Sequence, residues 1–158
     1  MNYQNNKSKQ DFTIGMANLV AKWPYDIMGE FLDNASKYTR LRAEKENNKT
    51  LLTLADTLNE AHFSIMYADK LNKDQRTPFP DIKRGDLEHY NTADMSARLL
   101  TFSDVEDIIN FKNDLADLLY NQVKSEIYKS KDRKNNLALK IYEAVEILDR
   151  TTDVEYLD

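Results

Sequence analysis

Four carboxylates in the first half of the chain are spaced for metal chemistry. Glu30 and Asp33 stand three residues apart and Asp56 and Glu60 four apart, and on a helix both spacings place the two acids on neighbouring turns of one face. If the segments that carry them pack antiparallel, the two pairs meet, and clustered carboxylate oxygens are what a hard divalent cation such as Mg²⁺ takes as ligands. The competing reading is a solvated acidic face, which helices rich in Glu and Asp produce without any ligand.

Glu30-Phe31-Leu32-Asp33 resembles the ExxD element of the helical nucleotide pyrophosphohydrolases of the MazG and dimeric dUTPase type, which hold Mg²⁺ with carboxylates on two adjacent helices. The resemblance covers these four residues. It implies, as an alternative function, a Mg²⁺-dependent all-α nucleotide pyrophosphohydrolase with Glu30, Asp33, Asp56 and Glu60 as metal ligands. The acidic cluster that precedes ExxD in that family has no counterpart here, because Asp26 is the only other acid between Asp11 and Glu30. Asp56 and Glu60 follow the element in reversed order.

The remaining catalytic inventory is thin. The chain has no cysteine, which excludes thiolate metal sites, disulfides and cysteine nucleophiles together. It has no glycine-rich phosphate loop, no nucleophile elbow and no histidine pair at metal spacing. His62 falls on or beside an apolar stripe and reads as a packed side chain with one hydrogen-bond partner. His89 follows Glu88 and reads as a surface residue. We therefore expect no cofactor.

Phosphate-binding chemistry has two candidate locations. Lys124, Lys129, Lys131, Arg133, Lys134 and Lys140 form one basic group, and Lys37, Arg40, Arg42, Lys45 and Lys49 form another. Glu44, Glu46, Glu126 and Asp132 interrupt them, and no aromatic series is spaced for stacking bases, so a nucleic-acid-binding helical protein stands as a second alternative. Asp104, Glu106, Asp107, Asp114 and Asp117 have the opposite character and would complement a basic partner. Tyrosines at 25, 38, 67, 90, 120, 128 and 142 add area of the kind interfaces use.

The partner-binding surface is expected on an irregular stretch, about 72–91, which holds two of the three prolines and one of the three glycines. Pro78 and Pro80 flank Phe79 and restrict the backbone around it. Arg76, Lys83 and Arg84 would surround that ring with positive charge, and Tyr90 would close the patch. The competing reading turns Phe79 and Ile82 inward to pin the loop.

Everything else in the chain reads as helix. Only three Gly and three Pro in 158 residues, with 31% charged residues, point to an all-α fold. Phe12, Ile14, Met16, Leu19, Val20 and Trp23 mark a first helix, and Pro24 ends it. A second carries Ile27, Met28, Phe31, Leu32, Ala35, Tyr38 and Leu41 inward, and turns at Asn47 and Asn48 into an antiparallel third from near Thr50. A short fourth spans about 92–102. The longest element runs from Ser103 to Ser130, with a capping box between Ser103 and Glu106 and an apolar stripe of Val105, Ile108, Ile109, Leu115, Leu118, Leu119, Val123 and Ile127. Leu137, Ile141, Ala144, Val145 and Leu148 mark the last.

The sequence thus predicts one all-α domain, a bundle of about six helices over 11–150, with a flexible tail at 1–10 and an acidic tail at 151–158. No apolar run is long enough to span a bilayer and the first residues lack the apolar core of a signal peptide, so the expected location is the cytoplasm. A formal charge of −5 argues against a strongly basic nucleic-acid binder. The leading functional expectation is a non-enzymatic regulator or inhibitor that contacts a protein partner. In its most concrete form it is a phage or mobile-element protein of anti-defence type acting on a host complex, a reading that rests on small size and on a composition in which lysine outnumbers arginine and asparagine is plentiful, as in AT-rich genomes.

Overall fold

The structure, a computed structural model, describes residues 14–71, 96–97, 104–129 and 136–150. The described residues contain no strand and form five helices: α1 (residues 14–21), α2 (Tyr25–Glu46), α3 (Lys49–Leu71), α4 (Val105–Lys129) and α5 (Asn136–Leu148). The expected count was about six; of the short element at 92–102, only residues 96–97 are described, and they are helical. The stretches read as tails, at 1–10 and 151–158, lie outside the described residues, and so does the whole irregular stretch 72–91.

Two adjacent asparagines make the α2–α3 hairpin. Asn47 takes the left-handed conformation (φ 51°, ψ 51°), which asparagine tolerates better than most residues with a Cβ. Its N–H donates to the Glu44 carbonyl (3.4 Å) and that of Asn48 to the Ala43 carbonyl (2.9 Å), the paired bonds of a Schellman ending. Asn48 then caps α3, its Oδ1 accepting the Leu51 N–H at 3.1 Å. Asn48→Ala is expected to cost about 1 kcal/mol in urea unfolding, because the Leu51 N–H loses its acceptor. Asn47→Gly should cost nothing, since glycine adopts the same backbone freely. Equal losses for the two variants would contradict this division of labour.

Along the hairpin, small and hydroxylated residues let the two helices approach. A Cβ added to Gly29 would run into the Met66 side chain, so α3 sits against bare α2 backbone there. Ser36 and Thr39 are buried with their hydroxyls satisfied: Ser36 Oγ donates to the Ala55 carbonyl and Thr39 Oγ1 to the Ala35 carbonyl, both at 2.7 Å. This corrects the expected inward face of α2. Met28, Phe31, Leu32 and Ala35 are buried as read, but Tyr38 and Leu41 are exposed, and Ser36, Thr39 and Ala43 take the inner positions. Ile14, read as part of the first helix's apolar face, is also exposed.

The other helices complete the bundle around α3. α3 packs on α2 and α5, and α5 packs on α4. Contacts between Tyr67 and Lys140 and between Glu60 and Arg150 show that α3 and α5 run antiparallel. Trp23, Phe31 and Phe111 join the segment after α1 to α2 and α4, with ring centroids 5.6 Å and 5.8 Å apart. All three are buried, and Phe31 also has its carbonyl bonded by Ser96 Oγ at 3.2 Å. Gln122 of α4 donates from Nε2 to the Ala21 carbonyl (2.8 Å), satisfying the end of α1.

α4 begins one residue later than its sequence suggests. Asp104 precedes the first turn, its carbonyl accepting the N–H groups of Asp107 (3.0 Å) and Ile108 (3.2 Å). The Asp107 carboxylate reaches back to the Asp104 N–H at 3.2 Å. This is one half of a capping box, formed by buried Asp107 while Glu106 faces solvent; Ser103, read as the partner of Glu106, lies outside the described residues.

Candidate functional site

Three of the four acids read as a metal set are each paired with a separate cation. Asp33 pairs with Lys37 one turn along α2 (3.1 Å), Asp56 with Arg40 across the hairpin, and Glu60 with Arg150 beyond α5. Glu30 is exposed. Among the described residues, no three acidic or histidine side chains converge in a way that would hold a metal ion. The physical reason is that cations reach these acids from three different places: one turn along α2 for Asp33, across the hairpin for Asp56, and from beyond α5 for Glu60.

Two of these pairs engage Lys37 and Arg40 of the basic group at the end of α2, where Arg42 also bonds Glu46. Of the other basic group, Lys140 pairs with Glu143 at 2.9 Å, and that hydrogen bond raises the lysine pKa. Lys131, Arg133 and Lys134 lie outside the described residues. So do all five residues of the expected partner-binding loop, Arg76, Phe79, Lys83, Arg84 and Tyr90, together with His89. His62 is half-buried, and its Nδ1–H donates to the Gly29 carbonyl at 2.8 Å, which adds a second hydrogen bond between α2 and α3 beside the Gly29–Met66 contact.

The described surface has its own candidate, on the outer side of α3 and α5. Phe63 is 63% exposed and Tyr67, one turn further on, is 50% exposed. The Lys140 ammonium lies over the Tyr67 ring, 4.6 Å from its centre, and the preceding residue, Leu139, is exposed as well. The Glu60–Arg150 pair stands one turn from Phe63 in the other direction along α3. An aromatic centre flanked by ion pairs has the composition of an interface, apolar in the middle and polar at the rim.

Phe63 was missed because it falls off the apolar stripe of α3 formed by Leu54, Ala55, Leu58, Ala61 and Ile65. An aromatic residue outside the buried periodicity was the available signal. Lys112 was missed for the converse reason: it lies four residues after Ile108 and three before Leu115, on the buried face of α4. Its Nζ donates to the carbonyls of Leu148 (2.6 Å) and Arg150 (2.8 Å) and to Asn113 Oδ1 (2.9 Å), ending α5 with a charge. Burial pulls the Lys112 pKa down, and the charge of Asp149 partly restores it. None of the described helices is long and apolar enough to cross a membrane. Comparison of the chain with protein-family models, curated proteins and solved structures finds no match.

Proposed function

We propose that this protein acts by contact, as a non-enzymatic regulator or inhibitor whose partner is another protein. The observation that carries the reading is the exposed pair Phe63 and Tyr67 on α3. Large aromatic rings are costly to leave in water and are enriched where proteins meet, because they bring contact area with little rotamer entropy to lose. Their underlying helix is rigid, with Ala61, Ile65 and Ala68 buried on its other side, so the rings are presented without a folding step. The small, lysine- and asparagine-rich chain fits the more concrete form of this reading, a phage or mobile-element inhibitor of a host complex.

The test is a pull-down from a host lysate with wild-type protein and with Phe63→Ala/Tyr67→Ala, followed by calorimetry on the partner recovered. The double variant is expected to keep its melting temperature within about 2 °C, because neither ring is buried. It should weaken binding by at least 2 kcal/mol, about 30-fold, if the two rings are the energetic centre. Full affinity in a folded double variant would move the contact away from α3.

A further inference from the structure

α4 and α5 enclose a cleft on their outer side, of about 270 Å³, lined by Asp117 and Tyr120 from α4 and by Tyr142, Val145, Glu146 and Asp149 from α5 and the residue after it. The Tyr120 and Tyr142 rings lie 6.2 Å apart at 50° and bring aromatic surface to it. Asp117, Glu146 and Asp149 form no ion pair among the described residues, unlike Asp33, Glu46, Asp56, Glu60 and Glu143, each of which holds a lysine or arginine. Lys112, whose charge Asp149 feels, is turned inward onto the α5 carbonyls and does not fill the cleft. One turn before Asp117, Asp114 has its carboxyl pKa raised, first by burial and then by the Asp117 charge. Three carboxylates thus line the cleft, none of them in an ion pair with another described residue.

Size and lining select the occupant. The volume lies at the small end of small-molecule sites, and three carboxylates repel phosphate groups, so a single long cationic side chain suits the cleft better than a nucleotide. Two phenol rings and a valine want an apolar or planar body, and three carboxylates want a positive head with several donors. Arginine meets both demands: its guanidinium stacks on aromatic faces, and its fork of N–H groups bonds carboxylates in pairs. Lysine would satisfy the charge and forgo the stacking. A bare divalent ion fits poorly, because no three acids converge there within the described residues.

We propose that the α4–α5 cleft docks an arginine side chain presented by a basic segment of the partner protein. The proposal rests on the protein-binding reading and adds the partner's chemistry, at a second surface on the opposite flank of α5 from Phe63 and Tyr67. The probe is a capped Gly-Gly-Arg-Gly-Gly peptide, titrated into the full-length ¹⁵N-labelled protein at low salt, with the same peptide carrying citrulline or lysine as controls. Saturable amide shifts confined to the neighbourhood of Asp117, Tyr142 and Glu146 are expected, with the citrulline peptide inert and the lysine peptide weaker. Asp117→Asn/Glu146→Gln removes two exposed charges and should weaken the arginine peptide about tenfold without altering the fold. Phe63→Ala/Tyr67→Ala should leave peptide binding intact, so loss of the α3 surface and loss of the cleft are separately visible. Shifts scattered over all acidic surfaces, an equal response to citrulline, or undiminished binding by the charge variant would each overturn the proposal.

Discussion

Lys112→Met should lower the free energy of unfolding by about 2 kcal/mol, and Lys112→Ala by about 3–4 kcal/mol. The ammonium has three N–H donors and three acceptors at 2.6–2.9 Å, two of them carbonyls at the end of α5. A helix end leaves its last carbonyls without intrahelical partners, and the helix dipole makes them favour a cation. Methionine keeps the apolar stem packed and supplies no donor, so it isolates the lost hydrogen bonds; alanine adds the lost packing. Replacing a buried ion by a hydrophobe is often neutral when its counter-ion is replaced too, but backbone carbonyls cannot be replaced. The pH dependence has a definite sign. A lysine pKa lowered by folding means that the unfolded chain binds the proton more tightly, so this group lets stability rise as pH climbs from the lowered value towards 10.5. That slope should vanish in Lys112→Met. Urea unfolding followed by circular dichroism measures both effects, and wild-type stability in Lys112→Met would show that the cap contributes nothing.

The apolar stripe of α4 was legible apart from Lys112, because its large apolar residues are themselves the buried ones. Ile108, Leu115, Leu119 and Val123 are buried at the spacing their sequence shows, with half-buried Val105, Ile109, Leu118 and Ile127 beside them. α2 was legible only in its first half. Beyond Ala35 the pattern of large apolar residues runs through Tyr38 and Leu41, whereas burial runs through Ser36, Thr39 and Ala43. A hydroxyl that bonds a backbone carbonyl enters a helix interface at little cost, and hydropathy counts it as polar. The close contact at Gly29 is a related case, since what it accommodates is the Met66 side chain from another helix. Each such choice depends on a partner segment that local periodicity does not name.

The candidate surfaces divide along the same line. Asp117, Tyr120 and Tyr142 were each noticed in the sequence, as an acidic helix front and as scattered tyrosines, but their meeting depends on α4 and α5 packing side by side. The acids of α2 and α3 show the reverse: spacing suggested convergence, and Lys37, Arg40 and Arg150 divide them instead. Spacing on one helix tells which side chains share a face. It does not tell which cation from a neighbouring segment arrives first.

Leu119→Asp should unfold the protein at room temperature, whereas Leu41→Asp should change its stability by no more than about 0.5 kcal/mol. Leu119 is fully buried in the middle of α4, and its removal alone forfeits about 2–5 kcal/mol of packing. The carboxylate put in its place must either stay charged in an apolar surrounding or take up a proton at the cost of a raised pKa, and Lys112, the buried cation two turns earlier on that face, is already engaged. Together these costs approach the whole stability of an ordinary domain, about 5–15 kcal/mol. Leu41 is 61% exposed, so an aspartate there stays in water and loses only a little helix propensity. The pair decides between two faces of one molecule, because the large apolar residues of α2 by themselves put Leu41 inside. Circular dichroism and thermal melts read the outcome: a folded Leu119→Asp would sink the α4 interface, and an unfolded Leu41→Asp would restore the face that the apolar spacing of α2 suggests.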